Sequence, residues 1–106
     1  MAEKKRNVIQ SAIDFLKKLS TADVAIISFI KKDGTERRMN CTLNMDRIPA
    51  KDHPKSVSLV KILQMIQDHG LIRVYDLENN GWRSVRYETC KWANIDGVVY
   101  HMAGWR

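Results

Sequence analysis

The side chains that most often carry out catalysis or bind metals are few in this chain and lie far apart in the sequence. Its three histidines are His53, His69 and His101, and no pair of them has the short spacing of a zinc site. We expect Cys41 and Cys90 to be reduced, small core residues rather than a disulfide or a nucleophile. Acidic residues occur singly, and the chain has no glycine-rich phosphate loop. The sequence therefore predicts a protein that is not an enzyme, holds no metal or cofactor and has no small-molecule substrate.

Basic and aromatic side chains are more numerous, and they concentrate on two predicted hairpins. The net charge is +6, from 18 Lys and Arg against 12 Asp and Glu, which favours a polyanion as partner. Guanidinium groups beside aromatic rings suit nucleic acid, because cations bind phosphates and flat rings stack on bases. The candidate nucleic-acid-binding residues are Lys31, Lys32, Arg37, Arg38, Arg73, Tyr75, Trp82, Arg83, Arg86 and Lys91. The alternative is structural: the arginines are solvated outward positions of a sheet, and Trp82 closes one end of a barrel.

A second candidate surface is apolar and lies on a predicted helix over about 57–68. Only Lys61 is charged between Val57 and Gln67. An apolar arc this wide is either buried on two sides or covered by a partner. A small barrel has a limited interior, so we expect a homodimer or a partner protein to cover part of it. The alternative partner-binding surface combines this helix with the C-terminal tryptophans, and its residues are Ile62, Leu63, Ile66, Trp92 and Trp105.

Apolar spacing places these candidates on two helices and five strands. One helix is predicted over about 5–19 and the second over about 57–68, with Ser56 or Ser58 capping its start and Gly70 its end. The strands are predicted over 23–31, 35–43, 71–77, 82–90 and 97–103. Asp-Gly and Asn-Gly pairs predict tight hairpin turns with positive φ at Gly34 and Gly81.

Period-two alternation predicts which strand residues face inward. The predicted core consists of Ile27, Phe29, Met39, Cys41, Leu43, Val74 and Val85. Five short strands are too few for a sandwich, so the fold class is α+β and mostly antiparallel β. We predict one domain over 1–106: a small five-stranded barrel with an N-terminal helix and an inserted helix.

Two segments resemble a known family. The hairpin FIKKDGTERRMNCTL (29–43) and the hairpin VYDLENNGWRSVRYETC (74–90) are similar to small phage-encoded WYL-like proteins. The shared patterns are K-x-D-G-T-x-R-x-M-x-C-T-L and V-x-D-L-x-x-x-x-W-R-S-x-R. The resemblance implies an SH3-like or Sm-like barrel, a phage origin and a non-enzymatic accessory role, and it implies no ligand.

These observations predict an accessory protein of a phage that acts by binding in the host cytoplasm. The first hypothesis is that it binds RNA or DNA and affects host or phage gene expression during infection. The alternative is a protein–protein interaction module that binds and inhibits a host enzyme or defence factor. No apolar run reaches the roughly 18–20 residues of a membrane span, so a membrane is not an expected partner.

Overall fold

The structure is a computed structural model, and it describes residues 7–55 and 58–103. Within these residues the chain forms, in order, β1 (Val8–Ile9), α1 (Ala12–Thr21), β2 (Ala25–Ile30), β3 (Glu36–Thr42), α2 (Leu59–His69), β4 (Leu71–Asp76), β5 (Gly81–Arg86), β6 (Cys90–Ile95) and β7 (Val98–Met102). Short 3₁₀ helices occur at Met45–Arg47, Ala50–Asp52 and Tyr87–Thr89. No helix in this part of the chain has the length and apolar character needed to span a bilayer.

The strands form one open sheet in the order β1-β7-β6-β2-β3-β4-β5. Every neighbouring pair is antiparallel except β1 and β7, which are parallel. The prediction of a small, mostly antiparallel β domain with two helices is confirmed. The prediction of a closed, five-stranded barrel is wrong, because the described residues form seven strands and the sheet does not close.

One additional strand comes from the start of the predicted first helix. Val8 and Ile9 pair with His101 and Met102 of β7 instead of continuing the helix. The helix begins later because the Ser11 side chain accepts a hydrogen bond from the backbone N–H of Asp14, which caps its first turn. Residues 5 and 6 of the predicted helix lie outside the described residues.

The other additional strand comes from a turn that the sequence reading missed. Asp96 and Gly97 have φ values of 52° and 87°, so both occupy the left-handed region and connect β6 to β7 as a tight hairpin. This is another Asp-Gly pair between apolar runs, and it divides the region after Cys90 into two strands rather than one.

The positive-φ prediction is confirmed at Gly34 and wrong at Gly81. Gly34 has φ 88°, and the hydrogen bond from Lys31 N–H to the Thr35 carbonyl closes a three-residue loop around it. In the β4–β5 hairpin, Asn80 takes the positive φ, at 53°, and Gly81 already belongs to the strand. Asparagine tolerates this conformation better than most residues, so the turn forms one position earlier than predicted.

The core lies between the inner face of the sheet and α1, and the predicted register is confirmed. Ile27 pairs with Met39, and Ala25 pairs with Cys41. Five of the seven predicted core residues are buried, and Phe29 and Leu43 are half-buried against the same cluster. The helix α1 adds three buried side chains at helical spacing, which are those of Ala12, Phe15 and Leu19.

Candidate binding surfaces

An apolar groove of about 740 Å³ lies between α1, α2 and the β4–β5 hairpin. The α1 residues that line the groove lie at helical spacing: Ile13, Leu16, Lys17 and Ser20. They are adjacent to the α1 residues that face the core, which are Ala12, Phe15 and Leu19. The described residues that line the groove are Ile13, Leu16, Lys17, Ser20, Leu43, Met45, Pro54, Ser58, Leu59, Lys61, Ile62, Leu63, Met65, Leu71, Ile72, Arg73 and Trp82. A volume of this size falls within the range of ordinary small-molecule pockets.

The groove exists because α2 is attached to the rest of the domain near its C-terminal end. Ile66 packs against the core, and Gly70, with φ 62°, turns the chain directly into β4. Nearer the N-terminus of α2, Leu59 and Leu63 line the groove and remain 68% and 37% exposed. No residue of α2 is fully buried. Within residues 7–55 and 58–103, no other element therefore covers the apolar arc of this helix along most of its length.

The wall contributed by β5 is held in place by a hydrogen-bonded network. The indole Nε1 of Trp82 donates to the Asp52 carbonyl oxygen at 2.8 Å, and Tyr75 Oη donates to Asp52 Oδ2 at 2.6 Å. The Tyr75 and Trp82 rings meet edge to face at 5.5 Å. Tyr75 is completely buried, so its ring is not accessible for the base stacking that we predicted.

All charged side chains among the described residues of the groove wall are basic. Lys17 comes from α1, Lys61 from α2 and Arg73 from β4. The Arg73 guanidinium lies over the Trp82 ring at 5.8 Å from its centroid. The rim therefore carries positive charge on each of the three elements that form the groove.

Two of the predicted nucleic-acid-binding residues share one internal partner. Arg37 and Arg83 meet at the buried carboxylate of Asp76, with Nη2 of Arg37 3.6 Å and Nε of Arg83 3.5 Å from Oδ2. Burial opposes ionisation of Asp76, but hydrogen bonds from Asn79 and Glu78 and the charge of Arg37 lower its pKa overall. These two arginines are thus engaged within the protein.

A second group of predicted residues lies on the outer face of the β6-β2-β3 region. Arg38, Ser28 and Trp92 are consecutive neighbours across three strands, and the Arg38 guanidinium covers the indole at 5.2 Å. Glu36 lies beside this row, accepting from Ser28 Oγ at 2.5 Å and pairing with Lys91 Nζ at 3.0 Å. These contacts, that of Ser28 above all, lower the pKa of Glu36, so a carboxylate interrupts the basic surface.

The remaining predicted residues are dispersed. Lys31 and Lys32 are exposed at the β2–β3 turn, and Arg86 pairs with Glu88 at 3.4 Å. The contacts among the described residues therefore divide the candidates into separate groups.

The predicted partner-binding residues divide in a similar way. Ile62 and Leu63 line the groove, whereas Ile66 packs against the core and Trp92 lies under Arg38. Trp105 lies outside the described residues. Sequence reasoning missed Ile13, Lys17 and Leu59 as site residues, although Ile13 and Lys17 belong to a stripe that the helical period reveals.

The side chains of Cys41, Cys90 and His53, which catalysis could use, are buried or hydrogen-bonded within the protein. Burial raises the pKa of both Cys41 and Cys90 to about 12, so their thiols stay protonated and weakly nucleophilic at neutral pH. His53 Nε2 lies 2.9 Å and 2.7 Å from the carbonyl oxygens of Met45 and Ile48, and it fastens the loop before α2. Among the described residues, no group of three or more His, Cys, Asp or Glu side chains is arranged to hold a metal ion.

Comparison with known proteins gives a family and no individual relative. A family model described as WYL_2, Sm-like SH3 beta-barrel fold, matches residues 12–90, and the chain belongs to this family. The matched region contains both helices and β2 to β5, whereas β1, β7 and all of β6 except Cys90 lie outside it. No curated protein and no solved structure matches the chain.

Proposed function

We propose that this protein is a protein-interaction module that binds an apolar segment of a partner protein in the groove between α1 and α2. The observation that carries the proposal is the helix α2, whose apolar arc lines the groove although no residue of the helix is buried. In the setting that the sequence resemblance implies, the partner is a host enzyme or defence factor in the host cytoplasm, and the protein is a phage accessory factor.

The exposed apolar surface is large enough to contribute substantially to binding. Ile13, Leu59 and Leu63 all line the groove and are 43%, 68% and 37% exposed. Fully burying one such side chain stabilises a complex by about 1.5–3 kcal/mol, so covering these three contributes about 2–4 kcal/mol. A micromolar complex needs about 8 kcal/mol, and the rest of the groove wall and the polar rim would supply the remainder.

The test uses two neighbouring positions on α2. Leu59 lines the groove, whereas Val60 does not, and the two residues are 68% and 63% exposed. Both positions are in the first helical turn, where an added carboxylate interacts favourably with the helix dipole. Leu59→Asp and Val60→Asp are therefore matched in charge, exposure and effect on the helix, and differ in whether they alter the groove.

Peptides selected from a displayed random library against the wild-type protein supply the ligands. We expect Leu59→Asp to weaken their binding by about tenfold or more, because it removes apolar contact and buries a carboxylate. We expect Val60→Asp to bind like the wild type. Equal effects of the two substitutions, or a library that yields no binder, would contradict the proposal.

Nucleic-acid binding is the second candidate, and the contact of the exposed Arg38 guanidinium with the Trp92 ring favours it. This hypothesis predicts that Arg38→Ala weakens binding of a labelled single-stranded oligonucleotide at low salt. The control is Lys51→Ala, which removes the same charge from an 80% exposed side chain outside the predicted set. Equal losses in the two variants would indicate attraction by net charge alone.

A further inference from the structure

Resting on the proposed function, we infer that the groove takes an acidic apolar segment, in which carboxylate side chains alternate with the apolar side chains that enter the groove. The juxtaposition that carries this inference is an apolar wall bordered by Lys17, Lys61 and Arg73, with no acidic side chain among its described lining residues. An apolar surface selects apolar side chains, and a rim of one sign selects the opposite sign in the flanking positions.

The rim charges are available to a partner. Within the residues that the structure describes, no carboxylate forms an ion pair with Lys61 or Arg73, and Asp14 of α1 pairs with Lys18 at 3.0 Å rather than with Lys17. In contrast, Arg37, Arg83 and Arg86 elsewhere on the domain each have a carboxylate partner. A ligand that brings carboxylates to the groove rim therefore does not have to displace an internal acid.

Charge also argues against a second copy of the chain as the occupant. Each copy carries a net charge of +6, and pairing two grooves would bring two sets of rim cations together. A single-headed anionic amphiphile is a weaker fit, because its one carboxylate would meet one of three cations that come from three different elements. A segment with several carboxylates matches all three.

The experiment compares two fluorescently labelled probe peptides with the same leucines at helical spacing. Glutamates occupy the remaining positions in one peptide, and lysines occupy them in the other. We expect the acidic probe to bind about tenfold more tightly at low salt, since each exposed ion pair contributes modestly and three are available. The advantage should shrink as salt is added, because salt screens exposed charges.

Charge reversal at one rim position is the decisive variant. Lys61→Glu should weaken the acidic probe and strengthen the basic one. It also places a glutamate three residues after the capping Ser58, which is a favourable capping-box arrangement, so the helix should not unfold. Lys32→Glu makes the same change in net charge at the β2–β3 turn, away from the groove, and should leave the difference between the probes nearly unchanged.

The outcomes separate this inference from the proposed function. If both probes bind equally well and Leu59→Asp abolishes both, the charge preference is overturned and the groove function remains. If neither probe binds while the selected peptides bind in a Leu59-dependent manner, only the charge preference is overturned, and if no binding depends on Leu59, both are overturned. If decanoate binds in a Lys61-dependent manner while neither peptide binds, the occupant is a small amphiphile and the inference is wrong.

Discussion

Asp76 provides a quantitative test of how the β4–β5 hairpin is stabilised. Its fully buried carboxylate accepts hydrogen bonds at Oδ1 from the backbone N–H groups of Glu78 and Asn79, at 2.9 and 3.1 Å. At Oδ2 it accepts from the Asn79 side-chain amide at 2.9 Å and faces the guanidinium groups of Arg37 and Arg83. Replacing Asp76 by Asn keeps an acceptor at the position of Oδ1. It places an amide NH₂ group at the position of Oδ2, facing the donors of Asn79, Arg37 and Arg83.

The expected cost of Asp76→Asn follows from these contacts. Losing a hydrogen bond to a charged acceptor costs about 1.5–3 kcal/mol. The side chains of Arg37 and Arg83 are 40% and 52% exposed, so each lost ion pair adds less than about 1 kcal/mol. We therefore expect the free energy of unfolding to fall by about 3 kcal/mol in urea titrations. As a control, Glu88→Gln breaks an exposed ion pair with Arg86 and should cost less than about 0.5 kcal/mol.

The same carboxylate predicts a pH dependence with a definite sign. The pKa of Asp76 in the folded protein lies below its ordinary value of 3.8, so ionised Asp76 contributes its full stability above that pH. This contribution is lost as the pH falls through the folded pKa. The difference between the wild type and Asp76→Asn should be constant near neutral pH and narrow in acid. A difference of less than about 1 kcal/mol at neutral pH, or one unchanged at about pH 2, would refute the assignment.

The Asp96-Gly97 turn and the Tyr75 hydroxyl give two further predictions. Gly97→Ala forces a side chain into φ +87° and should lower the free energy of unfolding by about 1–2 kcal/mol, whereas Gly81→Ala should change it by less than about 0.5 kcal/mol. Equal losses of stability for Gly97→Ala and Gly81→Ala in thermal melts would contradict the Asp96-Gly97 turn. The hydrogen bond to Asp52 raises the pKa of Tyr75 from 10.0 to about 12, so its contribution to stability is complete below pH 10.0 and is lost as the pH rises toward about 12. Wild type should therefore lose stability relative to Tyr75→Phe over that interval, and parallel pH profiles would show that the Tyr75–Asp52 bond is absent.

The strand register could be predicted because one face of each strand is apolar. Met39 and Cys41 alternate with polar neighbours, and a shift by one residue would expose both, so the pairing with Ile27 and Ala25 is strongly specified. The predicted number of strands was wrong because the local sequence signals were weaker at the additional strands. Val8 and Ile9 fit a helical stripe as well as a strand, and pairing with the distant β7 decides between them.

The candidate site was only partly predictable for a related reason. Sequence identifies α2 as an apolar helix, but it does not show that only the Ile66 end reaches the core. The helical period places Ile13 and Lys17 beside the core-facing residues of α1, and they form a groove wall only because α2 lies opposite. Conversely, Tyr75 is an aromatic residue among arginines, which favours a binding role in the sequence. In the structure it is buried, and its hydroxyl donates to Asp52 of the loop before α2.

Amide hydrogen exchange with and without a ligand locates the binding site within the domain. In the free protein, the amides of α2 (Leu59–His69) should exchange faster than those of α1 (Ala12–Thr21), because α2 has no buried residue whereas α1 has three. Saturating acidic probe peptide should slow exchange throughout α2 and leave the Arg38–Trp92 region of the sheet unchanged. If exchange slows in that region and not in α2, the groove is not the binding site.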